Sequence, residues 1–391
     1  MNFGKSATHL TLKFPQRAFK IEVRCTLIKI TQPSLFRKRT YMTKQIPLVE
    51  ARGTHREVGQ QIGQACQPGI QKTLAGLRDD LPAGITFEQI LKRSKLYLEY
   101  GRQAYPQYIE ELKGIAEGAD VPFEEVFLSM CEELWEAAAW RGCTDMAARG
   151  RATKDGSTLV AHTNDLLPKA EEHLVLLKVQ AGDEPEFLGI SSGGIAISAG
   201  FNAAGISLTG NQLDNNDIRP GVPRLLVVRA TLSSRYLTEA MDHCLLPQRA
   251  SSYNNVLADT SGEVYSMEGS ATDCEPIYIE EDILAHANHY VSPSMRRFEA
   301  DRNSISNSVQ RHNRAMRLLR ENFGHLTPEL FQKLLGDHAG FPTSICKHGT
   351  ETVTVFSIVI QLDQLRAWIG LGRACETEYV EYKLEPYKGK P

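Results

Sequence analysis

The chain has 391 residues, of which 42% are apolar and 23% are charged, and its formal net charge is −3. This composition is typical of a globular protein with a large core and argues against global disorder. The small net charge excludes a general affinity for nucleic acid or anionic membranes, and no apolar run approaches the ~18–20 residues that span a bilayer.

The first 46 residues form a basic segment that differs from the rest of the chain. Nine lysines and arginines precede Met42, against a single acid, Glu22. A basic, acid-poor segment is consistent with an organellar presequence. We prefer a mis-assigned start or a tail, because Met42 opens a conventional-looking sequence. Residues 47–391 are expected to form a single domain without repeats.

The region from Pro47 to Trp140 is predicted to be helical. Apolar residues recur there at three- and four-residue spacing, and Pro122 with two following acids fits a helix start. The predicted helices cover residues 57–63, 87–100, 108–119 and 122–140.

From Cys143 onwards the pattern changes to strands. Lys154-Asp155-Gly156 lies between two extended runs, 144–148 and 157–163, and Asp-Gly in this position is a hairpin signal. Further strands are predicted at 173–180, 195–201, 205–209, 252–257, 263–268, 277–279, 284–287, 353–362 and 365–371. Two helices are predicted within 222–244, and one each at 304–323 and 328–335. Two strand blocks with helices outside them indicate a layered α+β fold.

Eight cysteines are dispersed along the chain, and none of them forms a CxxC pair. Zinc ribbons and thioredoxin-like motifs are therefore not expected. A chain of this length needs no disulfide framework, so we expect reduced thiols in a reducing compartment, the cytoplasm, with organellar targeting by the basic segment as the alternative.

The peptide bond between Gly142 and Cys143 joins the helical region to the strand region. If this bond breaks, Cys143 becomes an N-terminus that carries both a thiol and a free α-amine. An α-amine has a reference pKa of roughly 7.7–8.0 and can act as the base for its own side chain. Glycine before the cysteine allows the backbone geometry that self-attack needs. Taken alone, the pair also fits a helix C-cap followed by an inert buried cysteine.

Asp165 ends the strand that is predicted to pair with the strand starting at Cys143. A hairpin returns its carboxylate to the side of the new amine, which it could orient by a charge-assisted hydrogen bond. An aspartate that initiates the next turn is the alternative interpretation.

Three histidines, His162, His286 and His289, raise the question of a metal site. On a strand, positions three apart such as His286 and His289 point to opposite faces, and no HExxH motif accompanies them. We therefore expect no metal site. Cys346 and His348 share a strand face, but a packed cysteine beside a surface histidine is the preferred interpretation.

Short sequence words spread over residues 53–382 resemble the acyl-coenzyme A:6-aminopenicillanate acyltransferase family (isopenicillin N acyltransferase, peptidase family C45), which consists of N-terminal nucleophile hydrolases. In chain order these words are Gly53-Thr54 with Gly59 and Gly63, Gly142-Cys143-Thr144, Gly200-Phe201-Asn202-Ala203-Ala204-Gly205, Asn211, Arg219-Pro220-Gly221-Val222-Pro223, His286-Ala287-Asn288-His289 and Ser344-Ile345-Cys346. Each of these sequence motifs is short, and the resemblance rests on the number of motifs and on their order along the chain.

The resemblance implies an αββα sandwich of two antiparallel sheets between helical layers. It also implies a precursor that cuts itself into an α chain ending at Gly142 and a β chain starting at Cys143, the nucleophile. Asp165 stands where the family has an aspartate. Asn288 matches an asparagine that stabilises the oxyanion of acyl transfer.

Asn211 and Thr144 are weaker candidates for the oxyanion or substrate wall. The activity implied by the resemblance is amide hydrolysis or acyl transfer through a thioester on Cys143, with no cofactor. The substrate would be a small N-acyl amide or an acyl-CoA thioester, and the partners would be the α and β chains of one precursor. The alternative is an uncleaved, catalytically silent member that binds a ligand in the same cleft.

One departure from the family concerns the segment after Ser344-Ile345-Cys346. The fungal acyltransferase has a Ser-Arg pair there, whereas this chain has Thr350-Glu351-Thr352 and no arginine. The resemblance therefore leaves a penicillin substrate in doubt.

Overall fold

The computed structural model describes residues 45–135, 142–303 and 305–389. All of them belong to one compact unit, Thr43–Pro391. The predictions for residues 1–44 and for the helix end at 136–140 lie outside the described residues. Within the described ranges, none of the helices is both long enough and apolar enough to cross a bilayer.

The first part of the fold is a short strand followed by four helices. The elements are β1 (Leu48–Gly53), α1 (His55–Asp79), α2 (Phe87–Ala104), α3 (Pro106–Ala119) and α4 (Phe123–Ser129). The first two helices begin at capping boxes, in which the side chains of Thr54 and Glu57, and of Thr86 and Gln89, satisfy each other's backbone N–H groups.

The second part is rich in strands. It contains β2 (Gly142–Gly150), β3 (Gly156–Leu166), β4 (Leu174–Ala181), β5 (Phe187–Ser192), β6 (Ala196–Asn202), β7 (Ser207–Asn211), α5 (Arg224–Thr231), α6 (Leu237–Cys244), β8 (Asn254–Ala258), β9 (Val264–Gly269), β10 (Cys274–Tyr278), β11 (Ile283–His286), α7 (Ser306–Glu321), α8 (Pro328–Leu335), β12 (Val353–Gln361), β13 (Arg366–Leu371) and β14 (Val380–Lys383). The predicted Asp-Gly hairpin joins β2 to β3, and Gly156 takes a φ of +80° in its turn.

The strands form two sheets. One has the order β1-β4-β5-β6-β7-β8-β9-β10, and the other has the order β11-β2-β3-β12-β13-β14. All the strand pairs within them are antiparallel except β1 with β4, which is parallel. The prediction of a helical region from Pro47 is therefore wrong for residues 48–53, which gain their hydrogen bonds from a strand far along the chain.

Three apolar clusters separate four layers. The first lies between helices α1–α6 and the eight-stranded sheet, the second lies between the two sheets, and the third lies between the six-stranded sheet and helices α7 and α8. Adjacent residues of β4 show the alternation, because Leu177 belongs to the first cluster and Leu176 to the second. The predicted α+β sandwich is confirmed, with one parallel pair in place of a wholly antiparallel sheet.

Alternation along β2 sets the position of the site. Ala147 faces the space between the sheets, whereas Met146 faces helices α7 and α8. By the same period of two, Cys143 belongs to the inter-sheet face, and Thr144 belongs to the helix face. The first residues of β2 can therefore be contacted from both layers.

Candidate active site

Cys143 lies at the start of β2, where the predicted hairpin register is confirmed. Gly142 is directly opposite Asp165, and Cys143 is opposite Asn164 on β3. Only 5% of Cys143 is exposed. The candidate nucleophile and the candidate carboxylate are therefore brought together by a single local hairpin.

Both main-chain polar groups of Cys143 are held by side chains from other parts of the chain. Its N–H donates to Asn288 Oδ1 at 2.8 Å, and its carbonyl oxygen accepts from Arg311. Arg311 Nη2 also donates to Asn288 Oδ1 at 2.8 Å. Because both neighbours of this amide atom are donors, it has to be the oxygen, and the orientation of the Asn288 amide is fixed.

The Asn288 NH₂ group donates to the main-chain carbonyl of Gln212 at 3.1 Å. In this intact chain Asn288 thus contacts Cys143 through its oxygen, and its donor is already used. The oxyanion-stabilising role that the resemblance implies for Asn288 stays a prediction.

Arg311 on α7 is a site residue that the sequence analysis missed. Besides Cys143 and Asn288, its guanidinium donates to Thr144 Oγ1 at 2.9 Å and to Asn307 Oδ1 at 3.0 Å. It is 3% exposed. Burial lowers the pKa of the Arg311 guanidinium and the Asp165 carboxylate opposes this, but an arginine stays charged. Thr144 therefore positions Arg311, and Arg311 supplies a fixed positive charge beside Cys143.

Asp165 is completely buried on β3. Its Oδ1 accepts from Thr354 Oγ1 of β12 at 2.7 Å, whereas its Oδ2 has no hydrogen-bond partner among the described residues. Burial raises the pKa of the Asp165 carboxyl, and the charges of Arg311 and Lys347 oppose this. The carboxylate thus has one free oxygen beside the Gly142–Cys143 bond.

Lys347 is a second cation near this bond that the sequence analysis did not identify. It is half-buried, and its backbone N–H donates to Thr354 Oγ1 at 2.8 Å, the same hydroxyl that donates to Asp165. Burial lowers the pKa of the Lys347 ammonium, and the Asp165 carboxylate opposes this. Arg311 and Lys347 thus supply positive charge beside Cys143 and Asp165, although residues 350–352 lack the arginine that the fungal acyltransferase has in that segment.

Position 142 requires glycine because the Asp165 side chain lies close to its backbone, and not because its backbone takes a positive φ. A Cβ atom on residue 142 would lie 2.5 Å from Asp165 Oδ2 and 3.2 Å from Asp165 Cβ, and Thr354 holds the other carboxylate oxygen in place.

We expect Gly142→Ala to slow cleavage at this bond by about tenfold or more. The added methyl group displaces the reacting groups, and an activation free energy that is ~1.4 kcal/mol higher lowers the rate tenfold. The measurement is the fraction of cut chain over time by mass spectrometry. Gly76→Ala is the matched control, because no atom of the described residues lies within 4 Å of a Cβ built there. Equal cleavage rates in the two variants would contradict this account of Gly142.

The Cys143 thiol is in a protonated state in the intact chain. Burial, followed by the Asp165 and Asp145 carboxylates, raises its pKa to about 12, and the charge of Arg311 and the Gln212 backbone N–H oppose this. In the intact chain the Cys143 thiol is therefore mostly unreactive as a nucleophile at neutral pH.

Asn211 lies beside this site at the end of β7. Its Oδ1 accepts from His286 Nδ1 at 3.0 Å and from Asn254 Nδ2 at 3.2 Å. Its NH₂ group is buried and has no partner among the described residues. The next residue, Gln212, contacts both the Cys143 thiol and Asn288 through its main chain. Asn211 thus has an NH₂ group without a partner among the described residues, one residue before the Gln212 main chain that contacts the cysteine.

The three histidines of the sequence analysis each pair with a neighbouring polar side chain. His286 Nε2 contacts Glu268 at 2.7 Å, His162 contacts Asp145 at 2.8 Å, and His289 contacts Ser308 at 2.7 Å. The prediction that His286 and His289 face opposite sides of a strand is wrong. β11 ends at His286, so the period of two does not extend to residue 289, and the two rings stack at 6.4 Å.

Comparisons with known proteins identify relatives that cover most of this chain. The family model of acyl-coenzyme A:6-aminopenicillanic acid acyl-transferases matches residues 151–375. The acyl-coenzyme A:6-aminopenicillanic-acid-acyltransferase 40 kDa form of Emericella nidulans is 27% identical over 347 residues, which cover 83% of this chain and 92% of that protein. The β-alanyl-dopamine/carcinine hydrolase of Drosophila melanogaster is 24% identical over 335 residues, or 75% and 84% of the two chains.

Among solved structures, penicillin V acylase from Agrobacterium tumefaciens is similar with a TM-score of 0.42 and 12% identity, covering 62% of this chain and 86% of that one.

Proposed function

Since the chain belongs to the acyl-coenzyme A:6-aminopenicillanic acid acyl-transferase family, we propose that it is an N-terminal cysteine amidohydrolase or acyltransferase that matures by cleavage between Gly142 and Cys143. Its substrate would be a small N-acyl amide or an acyl-CoA thioester. The observation that carries the proposal is the convergence of Asp165, Asn288 and Arg311, all from different elements, on the peptide at Cys143.

Maturation would proceed by an internal acyl shift. The Cys143 sulfur attacks the carbonyl carbon of Gly142, the C–N bond breaks, and the proton of the thiol ends on the departing α-nitrogen. Water then hydrolyses the thioester, which releases the Gly142 carboxylate and restores the thiol. Asn288 and Arg311 hold the N–H and the carbonyl of Cys143 during this step.

Cleavage would change the role of the free Asp165 oxygen. In the intact chain it lies against the Gly142 backbone and has no hydrogen-bond partner among the residues that the structure describes. Once the bond is cut, the new α-ammonium of Cys143 is a donor of suitable charge for this oxygen. The carboxylate and Asn288 Oδ1 would then orient the amine that takes the thiol proton.

In turnover, Cys143 would attack the carbonyl carbon of the substrate and form an acyl-thioester. The α-amine accepts the thiol proton and then gives it to the leaving group, and water or an amine resolves the thioester. The Asn211 NH₂ group, which has no partner among the described residues, and the Gln212 backbone N–H, which contacts the thiol in the intact chain, would be donors for the developing oxyanion. Each such donor typically contributes about 100–1000-fold in rate.

Self-cleavage should accelerate with pH. The pKa of the Cys143 thiol is about 12 in the intact chain, so the thiolate fraction rises about tenfold per pH unit at any lower pH. We expect the first-order rate of cleavage to rise with a slope close to one decade per unit between about pH 6 and pH 9. A time course on freshly refolded precursor measures this rate, and a rate independent of pH would contradict attack by this thiol.

The experiment that tests the proposed activity is capture of the acyl-enzyme. Cleaved protein is mixed with N-acyl amides and, separately, with acyl-CoA thioesters, and quenched samples are analysed by mass spectrometry for an acyl group on the peptide that starts at Cys143. Adding an amine acceptor separates transfer from hydrolysis. An acyl group that appears on another residue, or a chain that binds these compounds without acylation or turnover, would overturn the proposal in favour of the ligand-binding alternative.

A further inference from the structure

We propose that His338, Cys346, His348 and Cys375 form a tetrahedral zinc site on the outer side of the six-stranded sheet. One ligand atom from each of the four side chains lies within 4.8 Å of every other. The sequence analysis expected no metal site, and of these four residues it considered only Cys346 and His348, which it interpreted as a packed cysteine beside a surface histidine. Of the other two members, His338 lies ten residues before His348, and Cys375 lies 27 residues after it.

The distances within this cluster agree with the edges of a zinc tetrahedron. His348 Nε2 lies 3.1 Å from His338 Nε2, 3.5 Å from Cys346 Sγ and 3.3 Å from Cys375 Sγ. Zinc–nitrogen bonds of about 2.0–2.1 Å and zinc–sulfur bonds of about 2.3 Å give tetrahedral edges of about 3.4 Å for N···N and about 3.5 Å for N···S. The three edges that meet at His348 therefore need only a few tenths of an ångström of adjustment, and the other three ligand–ligand distances are at most 4.8 Å.

Hydrogen bonding alone does not account for this arrangement. A single imidazole nitrogen has one site in its ring plane, which is either a lone pair or a proton. Here three polar atoms converge on His348 Nε2. A cation shared by all four ligands satisfies each of them at once, and two thiolates with two imidazoles are a ligand set that zinc takes in closed structural sites.

The local fold assembles the cluster from three segments. His338 follows α8, and the backbone N–H of Cys346 donates to the Asp337 carbonyl at 3.1 Å, which closes the loop between them. The backbone N–H of His348 donates to the Pro342 carbonyl at 2.8 Å, and Cys375 lies in the turn after β13. Cys346 is buried, whereas His338 and Cys375 are exposed, so the ion can enter from solvent.

The site would also brace one wall of the candidate active site. Lys347 lies between the two ligands Cys346 and His348, and its backbone N–H reaches the hydroxyl that holds Asp165. Binding both neighbours of Lys347 to one ion would fix the backbone path of this part of the loop between α8 and β12. We infer a structural ion rather than a catalytic one, because four protein ligands leave no open position.

The test is metal analysis of untagged, reduced full-length protein from zinc-supplemented culture. We expect about one zinc ion per chain, falling below about 0.2 in Cys375→Ser and in His338→Gln, because each variant removes one of the four ligands. Both positions are exposed, so the variants are expected to fold. Cys274→Ser and His325→Gln change a thiol and an imidazole outside the cluster, and they should keep the full zinc content.

Cobalt titration of the wild-type chain provides a second readout that does not depend on any variant. Tetrahedral binding by two thiolates gives sulfur-to-cobalt charge-transfer bands and intense d–d bands, which zinc should then abolish. Three results would overturn the proposal: no zinc and no cobalt bands in reduced wild type, zinc content unchanged in both cluster variants, or a Cys346–Cys375 disulfide that persists under reducing conditions.

Discussion

Cys143→Ala is expected to yield one uncut chain without amide hydrolysis or acyl transfer. The substitution removes the sulfur that attacks Gly142 during maturation and the substrate during turnover. Cys143 is buried, with 5% of it exposed, but the change removes a single heavy atom, so the loss of packing is small. Removal of the covalent nucleophile lowers kcat by roughly 10⁶-fold in a serine protease, and we expect a loss of similar order here. Intact mass and an amide-hydrolysis assay on the same preparation measure both effects.

The matched control for this variant is Cys66→Ala. Cys66 is 6% exposed, is also a free thiol, and lies in the cluster between the helices and the eight-stranded sheet. It should be cleaved and active like the wild type. Cleavage or turnover that survives in Cys143→Ala would show that another group performs the chemistry.

Arg311→Gln is expected to slow both cleavage and turnover by about 100-fold or more, the loss that follows removal of a preorganised electrostatic donor. Its guanidinium contacts the Cys143 carbonyl, Thr144 Oγ1 and Asn288 Oδ1, so the variant leaves buried acceptors without donors. Arg311→Lys keeps the charge but loses the planar fork, and should be intermediate. The measurements are the rate of cleavage and kcat/KM of the cleaved fraction.

Arg317→Gln on the same helix is the control for Arg311. Arg317 is exposed, and its Nε lies 3.9 Å from Glu321 Oε1. An exposed ion pair at this distance contributes little to stability. The control should behave like the wild type. If Arg311→Gln cleaved at the rate of the control and differed only in thermal stability, Arg311 would be a structural residue rather than part of the site.

The parts of the site that are local in sequence could be predicted, whereas the parts that come from distant elements could not. Cys143 and Asp165 meet because one hairpin pairs residues 142 and 165, and an Asp-Gly turn marks that hairpin in the sequence. Arg311 is one of four arginines spaced three apart on α7, at 311, 314, 317 and 320. Only the docking of the helix on β2 buries the first of them, and nothing in the local pattern distinguishes it from the others.

The same distinction explains the fold. Strong helical periodicity gave α2 and α3 close to their observed bounds, while β1 was missed because a six-residue strand acquires its partner, β4, from more than a hundred residues away. His338, Cys346 and Cys375 likewise lack the close spacing that makes a metal motif visible in sequence, and they meet only because the loop between α8 and β12 lies against the turn after β13.

The most direct test of the central claim is N-terminal sequencing of the purified protein after maturation. The account predicts a new chain that begins Cys-Thr-Asp-Met, together with an upstream chain that ends at Gly142. A preparation that turns over substrate while its only N-terminus is Met1 or Met42 would contradict it.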